Sequence, residues 1–420
     1  MRRLTPAVLT AVIVLAVVLR VGIAANRSID PDESQHLHVA WLLGQGQVPY
    51  RDFWEHHLPF FHYGMAPLTV WLPDRPEVYF VARGVMVVLA ALAVVLTWRL
   101  ARGLSAAGAI WAVVVLLFLP QFAETSTETR PDVPALVAYL AGLLALVRWR
   151  EGRGSAWLWA AGAWQGAAVA LSLKGVFGLA GVLLAVLGGR PTRPGAGPAG
   201  WATAMGSFAR FAGGLGLVLG ALLGVLMAIG GEPVLRGLYR DVVRDSMRFV
   251  DFAKTLPSFG SELGAFLAGA LGLVLVLRVR GSAVLDHPVH GAILLPTLTT
   301  VVALLLPTTP AVYQHAWLPL LPAVAVYAGL ALATLAEWAR RVPSRWRVGA
   351  AVAAIVAAVI VPAGESVVFA VRSQNVPDLA LMRAQLRLAC PGEPVLDGTA
   401  LYVFRPAAYR HGTLVRGIRE

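Results

Sequence analysis

Apolar runs of membrane-spanning length recur along this chain, centred on Thr5–Ala24, Tyr79–Trp98, Ala106–Phe122, Val133–Val147 and Ala156–Leu173. They continue at Val176–Leu187, Phe208–Ile229, Leu263–Leu277, Val289–Leu306, Trp317–Leu335 and Val348–Val361. A hydrocarbon core about 30 Å thick takes roughly 20 apolar residues of helix per crossing. Within it only helices or closed barrels satisfy their own backbone groups. With 58% of residues hydrophobic and 14% charged, no soluble core could use so many such runs. The chain reads as an all-α polytopic membrane protein with about eleven transmembrane helices. The sixth run is short and is expected to extend through Lys174 or to tilt. Arg2 and Arg3 before the first run have the look of a signal peptide, but that run is long enough to span, so an uncleaved first helix is expected.

The formal net charge of +12 does not imply nucleic acid. Arg2/Arg3, Arg99/Arg102, Arg148/Arg150/Arg153, Arg190/Arg193, Arg278/Arg280 and Arg340/Arg341/Arg345/Arg347 fall in alternate loops. That pattern orients helices and makes those loops, with the N-terminus, cytoplasmic. A smaller share of the cations is available to membrane lipids. The loop 25–78, the segments Glu124–Asp132, Gly230–Phe259 and Pro307–Ala316, and the C-terminus are then outside. The single cysteine, Cys390, rules out an intrachain disulfide.

The outer loop 25–78 concentrates what little polarity the chain has: Asp30, Asp32, Glu33, Asp52, Glu55 and five of the nine histidines. Leu37, Trp41 and Leu42 recur at roughly helical spacing, which predicts an interfacial helix over Glu33–Leu43 lying on the bilayer, ended by Gly44-Gln45-Gly46. A second interfacial stretch, Pro59–Met65, is rich in aromatic residues.

Several groups in these loops have the chemistry for function. Neighbouring carboxylates Asp32 and Glu33 at a water–membrane boundary suit general-base work; the same residues also suit the first turn of a helix. Glu55, His56 and His57, with Asp32, Glu33, His36 and His38, offer oxygen and imidazole ligands for a divalent metal ion, or else hydrogen-bonded interfacial histidines. Glu124, Glu128, Arg130 and Asp132 cluster where a later helix starts. Lys174, one of only two lysines, is either a snorkelling cation or an intramembrane partner for a substrate anion. Tyr313, Gln314 and His315 fit a site or an aromatic belt. Arg236, Arg240, Arg244 and Arg248 lie on one helix face, either solvated or in contact with an anion. Arg190–Gly200 reads as a cytoplasmic turn. Residues 364–420 form a small mixed extracytoplasmic domain, in which PGEPVLDG and TALYVF predict a turn and a strand. No internal repeat is visible.

Taken together, DPDE at Asp30–Glu33, GQGQVPYRDFWEHHLPFF, ETRPD, SLKG and YQHAWLPLLP resemble the GT-C superfamily of membrane glycosyltransferases. The resemblance is to the bacterial branch near the lipid A aminoarabinose transferases and protein O-mannosyltransferases, and it covers most of residues 1–330. It implies a transmembrane catalytic domain over 1–363 in the bacterial cytoplasmic membrane. It also implies inverting transfer of a sugar from a polyprenyl-phosphate donor to a lipid, glycan or protein acceptor at the outer face. On that resemblance Asp32 is the base with Glu33 beside it. Lys174, His56 and Arg130 face the donor phosphate; His56 stands where relatives have a lysine. Glu55, His57, Asp132 and His315 bind a metal or the acceptor. The competing readings are a transporter, which would place ionisable sites near the midplane, often in paired repeats, and a GT-C-type glycan ligase or polymerase with a diphosphate-linked donor.

Overall fold

The computed structural model describes residues 6–189, 201–244, 260, 262–306, 314–341, 344–372, 374–395 and 403–406. The described residues are mostly helical, and no strand forms among them. Helix α1 (Pro6–Asn26) meets α2 (Pro31–Gly44) at a 75° bend. Then follow α3 (Phe60–Trp71), α4 (Val78–Arg102), α5 (Ala106–Phe118), α6 (Pro120–Thr125), α7 (Asp132–Arg150) and α8 (Ala156–Leu171). A 3-10 turn at Leu173–Gly175 leads into α9 (Val176–Leu187), α10 (Trp201–Gly230) and α11 (Glu232–Gly237). The rest is α12 (Leu263–Arg280), α13 (Pro288–Leu305), α14 (Leu321–Arg341), α15 (Arg345–Ile355), α16 (Val361–Arg372) and α17 (Val376–Leu388).

Among the described residues seven helical segments are long and apolar enough to cross a membrane, or eight if the bent α1–α2 pair is one span. The sequence predicts about eleven. The difference lies in α5, α8 and α9, apolar helices of 13, 16 and 12 residues that are shorter than a full crossing. Helix α5 stops at extended Leu119, because Pro120 disfavours a helical conformation in the residue before it. Helix α8 stops at extended Ser172, leaving α9 as a short apolar helix.

Helix α7 is the most buried span and sits at the centre of the bundle, with α8 against it and α10 against α8. Small residues allow that contact: a Cβ on Gly162 would collide with the Phe211 carbonyl of α10, and one on Gly214 with the Trp159 carbonyl of α8. Lipid offers no hydrophobic drive for helix association, so such backbone proximity carries the packing. Helices α5 and α12 flank α14, and α9 lies on α13.

Helix α2 forms where the sequence places it and ends at Gly44. Every residue from Glu33 to Ala40 is buried, covered by α3, α4 and the C-terminal segment. Its polar residues face protein partners, so the apolar face read from Leu37, Trp41 and Leu42 is only part of its contact surface. Helix α3 extends the second expected stretch and leaves Trp71 exposed.

In the tail, α16 and α17 are helices, and the boundary expected at 363/364 falls inside α16. Most of the expected strand at 399–404, together with Arg2, Arg3, 190–200, Arg248, Lys254 and Tyr313, lies outside the described residues. Arg236 and Arg240 are paired within their own segment, to Glu232 and Asp241.

Candidate active site

The 75° bend between α1 and α2 is built by local chemistry. Pro31 occupies the first turn of α2, where its missing N–H is no loss. Asp30 caps the helix, its Oδ1 accepting from the Asp32 amide at 2.9 Å, while Glu33 Oε2 accepts from the Asp30 amide at 3.3 Å. This reciprocal capping box turns Asp30 and Asp32 toward one mouth of the bundle and Glu33 away from it.

Glu33 is fully buried and bound to Arg83, Nε to Oε1 at 2.9 Å and a terminal nitrogen to Oε2 at 2.6 Å. It also accepts the Thr129 amide at 3.0 Å. Arg83 is itself completely buried in α4. Its other donors go to the carbonyls of Ala24, Arg27 and Ser28, at 3.0–3.1 Å. All five N–H groups of this guanidinium are therefore used on the bend. Of the two carboxylates expected to work together, Glu33 is an anchor and Asp32 alone is free to meet solvent, its side chain 47% exposed. Arg83 was missed in the sequence. The available signal was a lone cation inside an apolar run, which is functional by default in a membrane.

Arg130, buried in the segment before α7, joins the two halves of the site. It contacts Asp32 at 2.8 Å, Glu128 and Asp132 at 3.5 Å and Asp30 at 3.8 Å. Burial acts to lower its pKa, but Asp132, Asp32, Glu128 and Asp30 outweigh it and hold the guanidinium charged. Its donation to His315 Nε2 at 3.1 Å makes that nitrogen an acceptor, so the ring proton of a neutral His315 is on Nδ1. Burial and the neighbouring Asp32 raise the Asp30 carboxyl above its ordinary value.

Asp132, buried at the start of α7, accepts from Lys174 Nζ at 2.7 Å. Lys174 sits in the 3-10 turn between α8 and α9. Both line a small pocket together with Ser172, Tyr139, Leu136 and His315. A second small pocket, lined by Leu140, Leu143, Ile293 and Val326, shares Tyr139 and Pro319 with the first.

The remaining candidates form a histidine cluster beside this pair. Glu55 is fully buried, its Oε1 accepting from both the amide and Nδ1 of His57 at 2.8 Å. Ligand atoms of Glu55, His56 and His57 lie within 4.8 Å of one another. His36 Nδ1 and His62 Nε2 are 2.9 Å apart, and the His36 and His57 rings are 4.8 Å apart. Glu55 Oε2, His36 Nε2 and His62 Nδ1 are buried with no hydrogen-bond partner among the described residues. Burial, then the Lys174 cation, lowers His57 to about 4, and burial lowers His62 to about 4. These rings are neutral ligand forms at neutral pH, and a carboxylate with imidazoles is a zinc-type donor set. His56 stacks on Trp54 and meets Gln35. His38 turns the other way, to the Val403 carbonyl.

A family model described as dolichyl-phosphate-mannose-protein mannosyltransferase matches residues 76–212, a stretch containing Arg83, Arg130, Asp132 and Lys174. No curated protein matches the sequence. Among solved structures, ArnT from Cupriavidus metallidurans bound to undecaprenyl phosphate aligns with a TM-score of 0.64 at 15% identity, over 96% of this chain and 86% of that one. The archaeal oligosaccharyltransferase AglB from Archaeoglobus fulgidus, in complex with an inhibitory peptide and a dolichol-phosphate, gives 0.54 at 14% identity, over 89% of this chain and 57% of that one. A complex of the Archaeoglobus fulgidus oligosaccharyltransferase with Zn and sulfate gives 0.53 at 16%, over 84% and 53%. This chain thus spans just over half of the archaeal enzyme's length. Its fold is that of ArnT and of the archaeal oligosaccharyltransferase.

Proposed function

We propose that this protein is an inverting glycosyltransferase that moves a hexosyl or pentosyl group from a polyprenyl-phosphate donor to a lipid, glycan or protein acceptor. One juxtaposition carries the reading. An exposed carboxylate, Asp32, is linked through Arg130 to a buried Asp132–Lys174 pair that lines a pocket bordered by Ala135, Leu136, Leu318 and Pro319. A lipid-linked anion needs a cation at the head of an apolar channel, and a polar acceptor needs a base at the water side of it. The fold shared with ArnT and AglB, whose structures hold undecaprenyl phosphate and dolichol-phosphate, supports the same reading.

In this mechanism Asp32 takes the proton of an acceptor hydroxyl or amine. The freed electron pair forms a bond to the anomeric carbon of the sugar. The bond from that carbon to the phosphate oxygen breaks, and its electron pair leaves with the polyprenyl phosphate. Lys174, assisted by Arg130, stabilises the charge that develops there. One displacement with one base inverts the anomeric centre, and Glu33 takes no chemical part. The Glu55–His56–His57 group would hold a divalent metal, for which its orphaned Glu55 oxygen is suited; bound there, the ion would supply Lewis-acid stabilisation of anionic oxygens.

The arginine-rich helix ends, Arg99 and Arg102 of α4, Arg148 and Arg150 of α7 and Arg340 and Arg341 of α14, lie at the opposite end of these helices from Asp32 and Lys174. The positive-inside rule then supports a site at the outer face of a bacterial cytoplasmic membrane. A transporter reading is weaker, because the charged cluster gathers at helix ends instead of mid-span. The test is release of labelled sugar from a polyprenyl-phosphate donor pool in membranes holding wild type or Asp32→Asn. Wild-type transfer that the equally expressed variant lacks supports both enzyme and base. Equal transfer removes Asp32 from the chemistry.

A further inference from the structure

The bend that presents Asp32 is held from two sides. Arg83 supplies one side, through the carbonyls of Ala24, Arg27 and Ser28. The other side comes from the far end of the chain. Asp378 Oδ2 accepts from the Ile29 amide at 2.8 Å, and Asn375 Nδ2 donates to the Ala25 carbonyl at 2.5 Å. Both residues stand where α16 gives way to α17, and Asn375 is buried. Leu379 and Met382 of α17 pack with Ile29, Leu37 and Tyr79, so the contact is a docked surface and not a stray pair. The Val403 carbonyl meets His38 of α2 at 3.0 Å, and Arg405 meets Asp74 at 2.6 Å.

The backbone groups so held lead directly into the capping box. Ile29 precedes Asp30, whose side chain in turn fixes the Asp32 amide. We propose that Asn375 and Asp378 are positioning residues for the reaction, setting the direction of the Asp30–Asp32 turn through the Ala25 carbonyl and the Ile29 amide. The segment from α16 onward is then part of the catalytic unit and not a separate domain. This rests on the reading of Asp32 as base.

Backbone displacement near a base is costly, because misplacement by about 1 Å can cost roughly a hundred-fold in rate. The experiment uses the full chain in lipid nanodiscs. It compares Asp378→Ala, Asp378→Asn and, as a control on the exposed side of α17, Arg387→Ala. Two quantities are read: kcat and KM for sugar transfer, and hydrogen exchange at the amides of 29–33. Asp378→Ala is expected to lower kcat roughly ten- to hundred-fold with donor KM nearly unchanged, and to speed exchange at 29–33. Asp378→Asn keeps an oxygen for the Ile29 amide and is expected to restore both, while Arg387→Ala changes neither. Wild-type exchange in Asp378→Ala, or an asparagine variant no better than alanine, overturns the proposal. Faster exchange with unchanged turnover overturns the positioning role alone. A wild-type rate for Asp32→Asn overturns the base reading and the positioning role with it.

Discussion

Replacing Arg83 by methionine should be among the most damaging single changes in this chain. The substitution keeps length and apolar volume but removes all five donors from a site where Arg83 and Glu33 are both fully buried. Breaking a buried ion pair by deleting one partner costs about 3–5 kcal/mol, because the other charge stays behind uncompensated. Removing both charges is far milder, since a buried pair repays little more than its own desolvation. Arg83→Met/Glu33→Gln should therefore be more stable than Arg83→Met, with a coupling energy of about 2–3 kcal/mol in a double-mutant cycle. Unfolding by transfer from mild detergent into SDS, followed by the fluorescence of the 13 tryptophans, gives the four stabilities. The double variant should also remain slow in transfer, because the carbonyls of Ala24, Arg27 and Ser28 still lack their donor. Arg83→Met within about 1 kcal/mol of wild type, well short of the cost of a broken buried pair, or a double variant equal to the sum of the singles, would refute this account of the bend.

Lys174→Met should weaken undecaprenyl-phosphate binding more than about ten-fold, the worth of one charge-assisted hydrogen bond, and Lys174→Arg less; lipid binding measured by native mass spectrometry decides it, and wild-type affinity in Lys174→Met would exclude the phosphate role. Burial and mutual repulsion with Glu124 push Glu262 up to about 7, and burial does the same for Glu124. Raised carboxyls favour the folded state when protonated, so this contribution is present below the ordinary value of 4.5 and is lost as pH rises through about 7. Melting should accordingly be higher near pH 5.5 than near pH 8, with Glu262→Gln shrinking the difference; an undiminished difference in that variant would contradict the assignment. If Glu55 and His57 are metal ligands, purified wild type should carry zinc that Glu55→Ala loses, as read by elemental analysis, and equal zinc in both would dismiss the site.

Local chemistry was legible and long-range pairing was not. The helix over α2 and its stop at Gly44 follow from DPDE and the glycines, because capping and termination involve residues within one turn of each other. The same motif could not say which carboxylate is buried and which meets solvent. That is decided by Arg83, 50 residues on, and by the Thr129 amide. Asp132 and Lys174 were both singled out by sequence, yet nothing in either segment announces that they touch. Apolar runs gave the fold class, while the break at Leu119, which shortens α5 within one apolar run, comes from a local Leu-Pro step that a hydropathy sum does not register. In the tail the helix α17 was not read from the sequence, and its contact with the bend links residues some 350 positions apart.

That separation also sets an order of events during synthesis. Arg83 and the groups it binds lie within 60 positions of one another, so one side of the bend is complete as soon as α4 has entered the membrane. Asp378 leaves the ribosome roughly 300 residues later, about 15–60 s at ordinary elongation rates. For that interval the Ile29 amide and the Ala25 carbonyl await their partners, and the newborn turn is held by its capping box and the Arg83 guanidinium.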